Sequence, residues 1–135
     1  MEIHKGRLLD HVHLRVADLE ASRRFYTAVS EALGIPIGMS MESAFSIDEL
    51  FVSDDGEATS SVHIAFQAPD EETVQRFYDA GLAAGGRDNG RPGPRDYHPG
   101  YYAAYLFDPD GNNVEAVFHG PAERSAPSVV FTTPG

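Results

Sequence analysis

The sequence predicts an α+β fold: two βαβββ modules whose strands form one U-shaped, cupped mixed sheet with the helices outside. Three observations predict it: an internal repeat, strand-type alternation at the head of each copy, and a capped amphipathic helix behind each strand. The stretch from Leu9 to Gly34 recurs from Ser61 to Gly86 at a constant offset. His11 falls on His63, Asp18 on Asp70, Glu20 on Glu72, Arg24-Phe25-Tyr26 on Arg76-Phe77-Tyr78, and Gly34 on Gly86. A match at fixed period means that one supersecondary unit was built twice. Neither copy alone covers its sheet, so the two pair.

Taken in order, Leu8 to Val16 alternates, with Val12, Leu14 and Val16 on one face and Leu9, His11, His13 and Arg15 on the other, the period of a strand. Asp18 is placed as an N-cap and Glu20 sits in the first turn, where the helix dipole favours acids. The helix runs from about Leu19 to Leu33, burying Phe25, Val29 and Leu33, and Gly34 ends it. Strands are expected over Ile35 to Met41, Ala44 to Ile47 and Leu50 to Ser53, followed by a turn and linker from Asp54. The second copy opens with a strand over Val62 to Ala68 and a helix from Pro69-Asp70-Glu71-Glu72 to about Ala84. Arg87 to Gly100 is too rich in Gly and Pro to be regular throughout, and a loop of this length is expected to be functional or disordered. Strands over Tyr101 to Phe107 and Asn112 to His119 flank a tight Asp108-Pro109-Asp110-Gly111 turn. One domain over residues 1–135 is expected, with modules at about 8–54 and 61–119. The Pro- and Ser-rich tail over 120–135 carries an apolar patch, Val129-Val130-Phe131, that frays or docks on a neighbour.

Composition narrows the function. A chain of 135 residues with 41% apolar residues, eight Phe and six Tyr can bury a real core. With no Cys there are no disulfides, thiolate nucleophiles or cysteine zinc sites. A net charge of -11, from 21 acids against 10 bases, repels a phosphate backbone and excludes nucleic acid as a partner. No apolar run reaches the ~20 residues of a membrane span, and the first residues lack a signal peptide's apolar region, so a cytoplasmic protein without membrane contact is expected.

The polar phase of the strands carries the chemistry. If Val12, Leu14, Ile64 and Phe66 pack under the helices, then His11, His13, Arg15, His63 and Gln67 line the opposite face. On the last strand Val114, Ala116 and Phe118 share one phase, leaving Glu115 on the other. His11, His63 and Glu115 then converge from three strands. Two imidazoles and a carboxylate are a facial-triad set for a divalent metal that keeps positions open for substrate. A lone strand histidine is usually no ligand; two at identical module positions, with a carboxylate in phase, favour a site.

The segments DHVHLRVADLEASRRFY, SVHIAF and FDPDGNNVEAVFH resemble the vicinal oxygen chelate superfamily, which includes glyoxalase I, bleomycin- and fosfomycin-resistance proteins and extradiol dioxygenases. The resemblance covers about Leu8 to His119. It implies paired βαβββ modules, a homodimer, and a metal in the cup held by His11, His63 and Glu115, the residues that the phase argument selects. It also implies a small-molecule substrate whose oxygens chelate Fe, Mn, Zn or Ni, in lyase, isomerase or dioxygenase chemistry. The glyoxalase I pattern has a fourth acidic ligand near the end of the first module; Glu49 is the nearest candidate, weighed against an exposed strand-end acid. The alternative function is a metal-free protein that sequesters a small molecule or drug, as the bleomycin-resistance relatives do, and a plain interaction module ranks third.

Candidate acid–base residues are His98, Tyr101 and His13, each weighed against a packing or cavity-lining role. Tyr97, Tyr102 and Tyr105 are expected to mix core and pocket wall. Arg15 is weighed between binding an anionic substrate and pairing with an acid such as Asp110, and the ion pair is preferred. Asp108 and Asp110 are read as turn residues, and His4 and His119 as surface or strand-end residues.

Overall fold

The computed structural model describes residues 2–5, 8–121 and 129–132. The first module is β2 (Val12–Arg15), α1 (Leu19–Ala32), β3 (Met39–Ser40), β4 (Ala44–Ile47) and β5 (Leu50–Ser53). The second is β6 (His63–Gln67), α2 (Glu71–Ala83), β7 (Arg87–Pro94), β8 (Tyr102–Phe107) and β9 (Asn113–Phe118). The chain carries two four-stranded mixed sheets, ordered β2-β5-β4-β3 and β6-β9-β8-β7. In each, the opening strand lies parallel to the last strand of its own module. A further pair joins β1 (Glu2–Lys5) to β10 (Val129–Thr132), so the apolar patch of the tail is a strand; residues 122–128 and 133–135 lie outside those described. The expected α+β architecture of two βαβββ modules is observed.

Both helices start as the sequence dictates. The Asp18 carboxylate accepts from Ala21 N–H at 3.1 Å and the Asp70 carboxylate from Thr73 N–H at 2.7 Å. Phe25, Tyr26 and Val29 of α1 and Val74, Phe77 and Tyr78 of α2 join Leu14, Phe45, Val52, Leu106, Val114 and Ala116 in one core. Burying each such large side chain contributes roughly 1.5–3 kcal/mol before entropy. The helices meet at Gly81. A Cβ there would lie 2.2 Å from Leu106 Cδ1 and 3.1 Å from Val29 Cγ1, so only hydrogen fits where α2 crosses both β8 and α1.

Three boundaries differ from the expectation. The first strand starts at Val12, because its partner β5 has only four residues and pairs Val12 with Leu50; Leu8 and Leu9 lie beyond the ladder and are exposed. The strand expected over Ile35 to Met41 shrinks to Met39–Ser40 at the sheet edge, where it has a single partner. Arg87 to Pro94, expected to be irregular, is instead a full edge strand. Its prolines are tolerated because an outermost strand is bonded on one side only, and register shifts around Gly90 absorb the misfit.

A buried polar knot joins the modules. Asp108, 1% exposed, accepts from Tyr26 Oη at 2.6 Å, from the N–H groups of Asp110 and Asn112 at 3.0 and 2.8 Å, and from Asn112 Nδ2 at 3.2 Å. Asn112 in turn accepts from Val62 N–H at 3.0 Å, and Asp110 from Ala17 N–H at 3.2 Å. Burial, followed by the Asp108 charge, pushes the Tyr26 phenol well above its ordinary pKa, so it is a neutral donor.

Gly81→Ala is expected to cost about 1–3 kcal/mol by overpacking. Tyr26→Phe is expected to cost a similar ~1–3 kcal/mol, because Asp108 loses a donor where water cannot replace it. Urea unfolding of both variants checks these values.

Candidate functional site

The site is built on the face of the second sheet that the helices leave uncovered. On β9, Val114 and Ala116 point into the core, so Glu115 points the other way. It is nonetheless 1% exposed, enclosed by β8 and β6 in the registers Tyr105 to Glu115 and Ala65 to Glu115. A buried carboxylate is costly unless partnered. Its Oε1 lies 2.7 Å from His63 Nε2, and its Oε2 accepts a hydrogen bond from the Tyr101 hydroxyl. An ionised carboxylate only accepts, so His63 carries a proton on Nε2 in this arrangement. The His63 side chain is 54% exposed, so this arm of the site is open, whereas the Glu115 side chain is 2% exposed.

Aromatic rings wall this centre. Tyr105 lies 6.3 Å from the His63 ring, and the Arg95 guanidinium sits 5.2 Å over the face of Tyr105. Burial first, then the Glu115 hydrogen bond and charge, hold the Tyr101 phenol well above the usual range for tyrosine; burial and Glu115 also raise Tyr105. Both phenols are therefore neutral at neutral pH.

The structure brings His63, Glu115 and Tyr101 together, with His98 one ring away. His98 packs edge-on to Tyr101 at 5.4 Å and shares a 2.9 Å contact with His119 Nδ1. His119, expected to be a plain strand-end residue, is therefore a member of the cluster; no spacing in the sequence links it to His98. His11 is not brought to this centre. It stands exposed one residue before β2, with Nδ1 2.8 Å from Asp10 Oδ1. Among the described residues no three His, Cys, Asp or Glu side chains form a group able to hold a metal. Glu49, weighed as a fourth ligand, lies with Asp48 in the β4–β5 turn and lines a cleft of about 590 Å³ along β6 that also reaches His63.

His13 belongs to a separate cluster on the first sheet. Its Nε2 lies 2.7 Å from Ser53 Oγ, which donates to Asp55 Oδ1 at 2.8 Å. Because the hydroxyl proton goes to Asp55, His13 is not positioned to activate Ser53 as a nucleophile. Arg15 makes the expected ion pair, but with Asp55 at 3.1 Å; Asp110 instead accepts from backbone Ala17. The Asp55 carboxyl is held below its usual range, first by the Ser53 hydroxyl and then by Arg15. Asp108 and Asp110 are structural, as expected for turn residues. His4 lies on β1, whose side chains are outside those described.

The chain was compared with known proteins. The model of the Glyoxalase/Bleomycin resistance protein/Dioxygenase superfamily matches residues 8–116. A glyoxalase/bleomycin resistance protein from Albidiferax ferrireducens T118 is 35% identical, with a TM-score of 0.70 over 79% of this chain and 95% of that one. A glyoxalase-related enzyme from Fulvimarina pelagi shares the fold at 24% identity and a TM-score of 0.65, over 94% of this chain and 99% of that one. A family enzyme from Burkholderia phytofirmans PsJN shares it at 19% identity and a TM-score of 0.62, over 79% and 94%. No curated protein matches significantly. Over nearly its whole described length, the chain belongs to the glyoxalase/bleomycin resistance protein/dioxygenase superfamily.

Proposed function

We propose that the chain is a divalent-metal-dependent enzyme acting on a small oxygenated molecule, in the lyase, isomerase or dioxygenase range. The metal is held by His63 and Glu115 with His11 of a second copy. The observation that carries this reading is the convergence of His63 Nε2 on the buried Glu115 Oε1 at 2.7 Å, on the face away from the core. The donor types fit Fe, Mn, Zn or Ni, and these two atoms are free to separate around an ion because the imidazole is half exposed. A metal there would act as a Lewis acid on substrate oxygens.

Strand edges support a homodimer. β2 and β6 are edge strands of their sheets. Thr59 covers β2 at Arg15, through bonds of 2.8 and 3.0 Å, but among the described residues no strand covers the His13 end. Pairing this edge with β6 of a second copy closes two equivalent junctions about a twofold axis, and so completes two sites per dimer. It also brings the exposed His11 beside the second copy's His63.

Within this reading each residue has a role. Tyr101 holds the Glu115 oxygen that faces away from His63, which aims the other oxygen at the ion, and stays a neutral donor. It is the acid–base candidate that touches the centre. His98 reaches the centre only through the Tyr101 ring, and His13 lies in the other module.

One observation favours the alternative of a metal-free binding protein. The cleft along β6 has apolar walls, including Leu33, Leu50, Ile64 and Phe66, with Asp48 and Glu49 among them, a setting for an apolar cation. Ligand binding that survives chelation supports that alternative.

Elemental analysis of protein purified without tag or chelator is expected to give near-stoichiometric metal in the wild type and none in Glu115→Gln. Tyr101→Phe is expected to weaken metal binding about 10- to 100-fold. A wild type that takes up no metal after reloading with each ion overturns the enzyme reading.

A further inference from the structure

His98 and His119 make an unusual contact on the far side of Tyr101. His98 Nδ1 lies 2.9 Å from the Pro99 carbonyl, and His98 Nε2 lies 2.9 Å from His119 Nδ1. A carbonyl only accepts, so the His98 proton sits on Nδ1, and a neutral His98 accepts at Nε2. His119 therefore donates from Nδ1. The ring centroids lie 5.2 Å apart with planes 17° from parallel, which fits an N–H···N bond running edge to edge between the rings.

The pair counts protons. One added proton makes His98 a donor at both nitrogens, and His119 keeps the bond by moving its own proton to Nε2. Two added protons leave two N–H groups facing each other, with no acceptor and two like charges. The contact then has to open.

What the contact clamps is the segment that carries Tyr101. Gly100 and Gly120 both have positive φ, of 91° and 87°, and a Cβ on Gly100 would lie 3.2 Å from the His119 carbonyl and 3.3 Å from Gly120 Cα. The loop before β8 and the exit of β9 thus run backbone against backbone. The Tyr101 ring stands edge-on to both imidazoles, at 5.4 and 5.3 Å, while its hydroxyl holds Glu115. Among the described residues the loop is also tied by main-chain bonds from Arg95 N–H to Tyr101 and from Tyr101 N–H to His98, and by the Arg95 guanidinium, which donates back to the carbonyls of Arg91, Gly93 and Pro94.

We propose that His98 and His119 are a positioning pair, a latch that holds Tyr101 on Glu115 and releases it when both imidazoles are protonated. The proposal rests on Glu115 being the centre of the site. The groups facing the pair are the Pro99 carbonyl and Tyr101, with Tyr97 packed on Tyr101 at 4.9 Å and Glu115 behind it. Arg95 turns its guanidinium onto Tyr105 instead, and among the described residues neither imidazole has an ion-pair partner. Among the described residues no carboxylate therefore pairs with the doubly protonated imidazoles.

Nuclear magnetic resonance on the chain as purified, and again after chelation, tests the latch apart from the metal. In the wild type, ¹⁵N-labelled histidine is expected to show scalar coupling across the His98–His119 bond at neutral pH and none in acid. The ring signal of ¹³C-labelled Tyr101, assigned with Tyr101→Phe, is expected to move toward that of an exposed tyrosine over the same range. In His98→Gln/His119→Gln the Tyr101 signal is expected to stay constant with pH. A coupling absent at neutral pH, or a Tyr101 signal indifferent to pH in the wild type, overturns the proposal without any variant. A double variant whose Tyr101 shifts as the wild type does also overturns it. A latch that titrates in protein unable to take up metal removes the metal reading and leaves the latch.

Discussion

The Asp108 knot is the constraint on which the rest of this chain depends. A carboxylate at 1% exposure survives because every lone pair that faces the protein has a donor, three of them from the turn that follows it and one from Tyr26 of the other module. The turn cannot slip without stranding that charge, so the register between β8 and β9 is set there. Asn112 carries the constraint to Val62, at the mouth of β6, and Asp110 carries it to Ala17, at the mouth of α1. One acidic turn thus fixes both junctions between the modules.

Glu115 inherits its position from that register. Seven residues beyond Asp108, it faces away from the core on the central strand pair, opposite Tyr105 and beside Ala65, two residues past His63. The protein buries a second carboxylate there and gives it two partners of different character. Tyr101 is a neutral donor, whereas His63 is a half-exposed imidazole. A buried carboxylate held on one oxygen by a phenol and on the other by a half-exposed imidazole suits the proposed ligand role, and neither core packing nor solubility calls for it.

Much of this was legible in the residues. Period-two alternation gave the strands, and Asp18 and Asp70 marked the helix starts to the residue. The phase of β9 set Glu115 apart from Val114 and Ala116. Sequence reasoning failed where tertiary neighbours decide. Arg87 to Pro94 carries the residues of a loop, yet an edge position lets it pair. His11 and His63 are equivalent in the repeat but not in space, because β5 has four residues against six in β9 and the ladder stops short of His11. His119 gave no signal, since its link to His98 depends on two glycines meeting across a loop.

The proposed centre is therefore divided: two donors converge within one chain, and the third, exposed one residue before β2, comes from a second copy. The most direct measurement is metal content after mixing His11→Ala with Glu115→Gln, each of which alone is expected to hold no metal. If His11 comes from a second copy, the mixed dimer has one site with all three ligands intact, and metal returns at up to one ion per mixed dimer. If metal stays absent while mixed dimers form, His11 does not act across the interface, and the account of the site is contradicted.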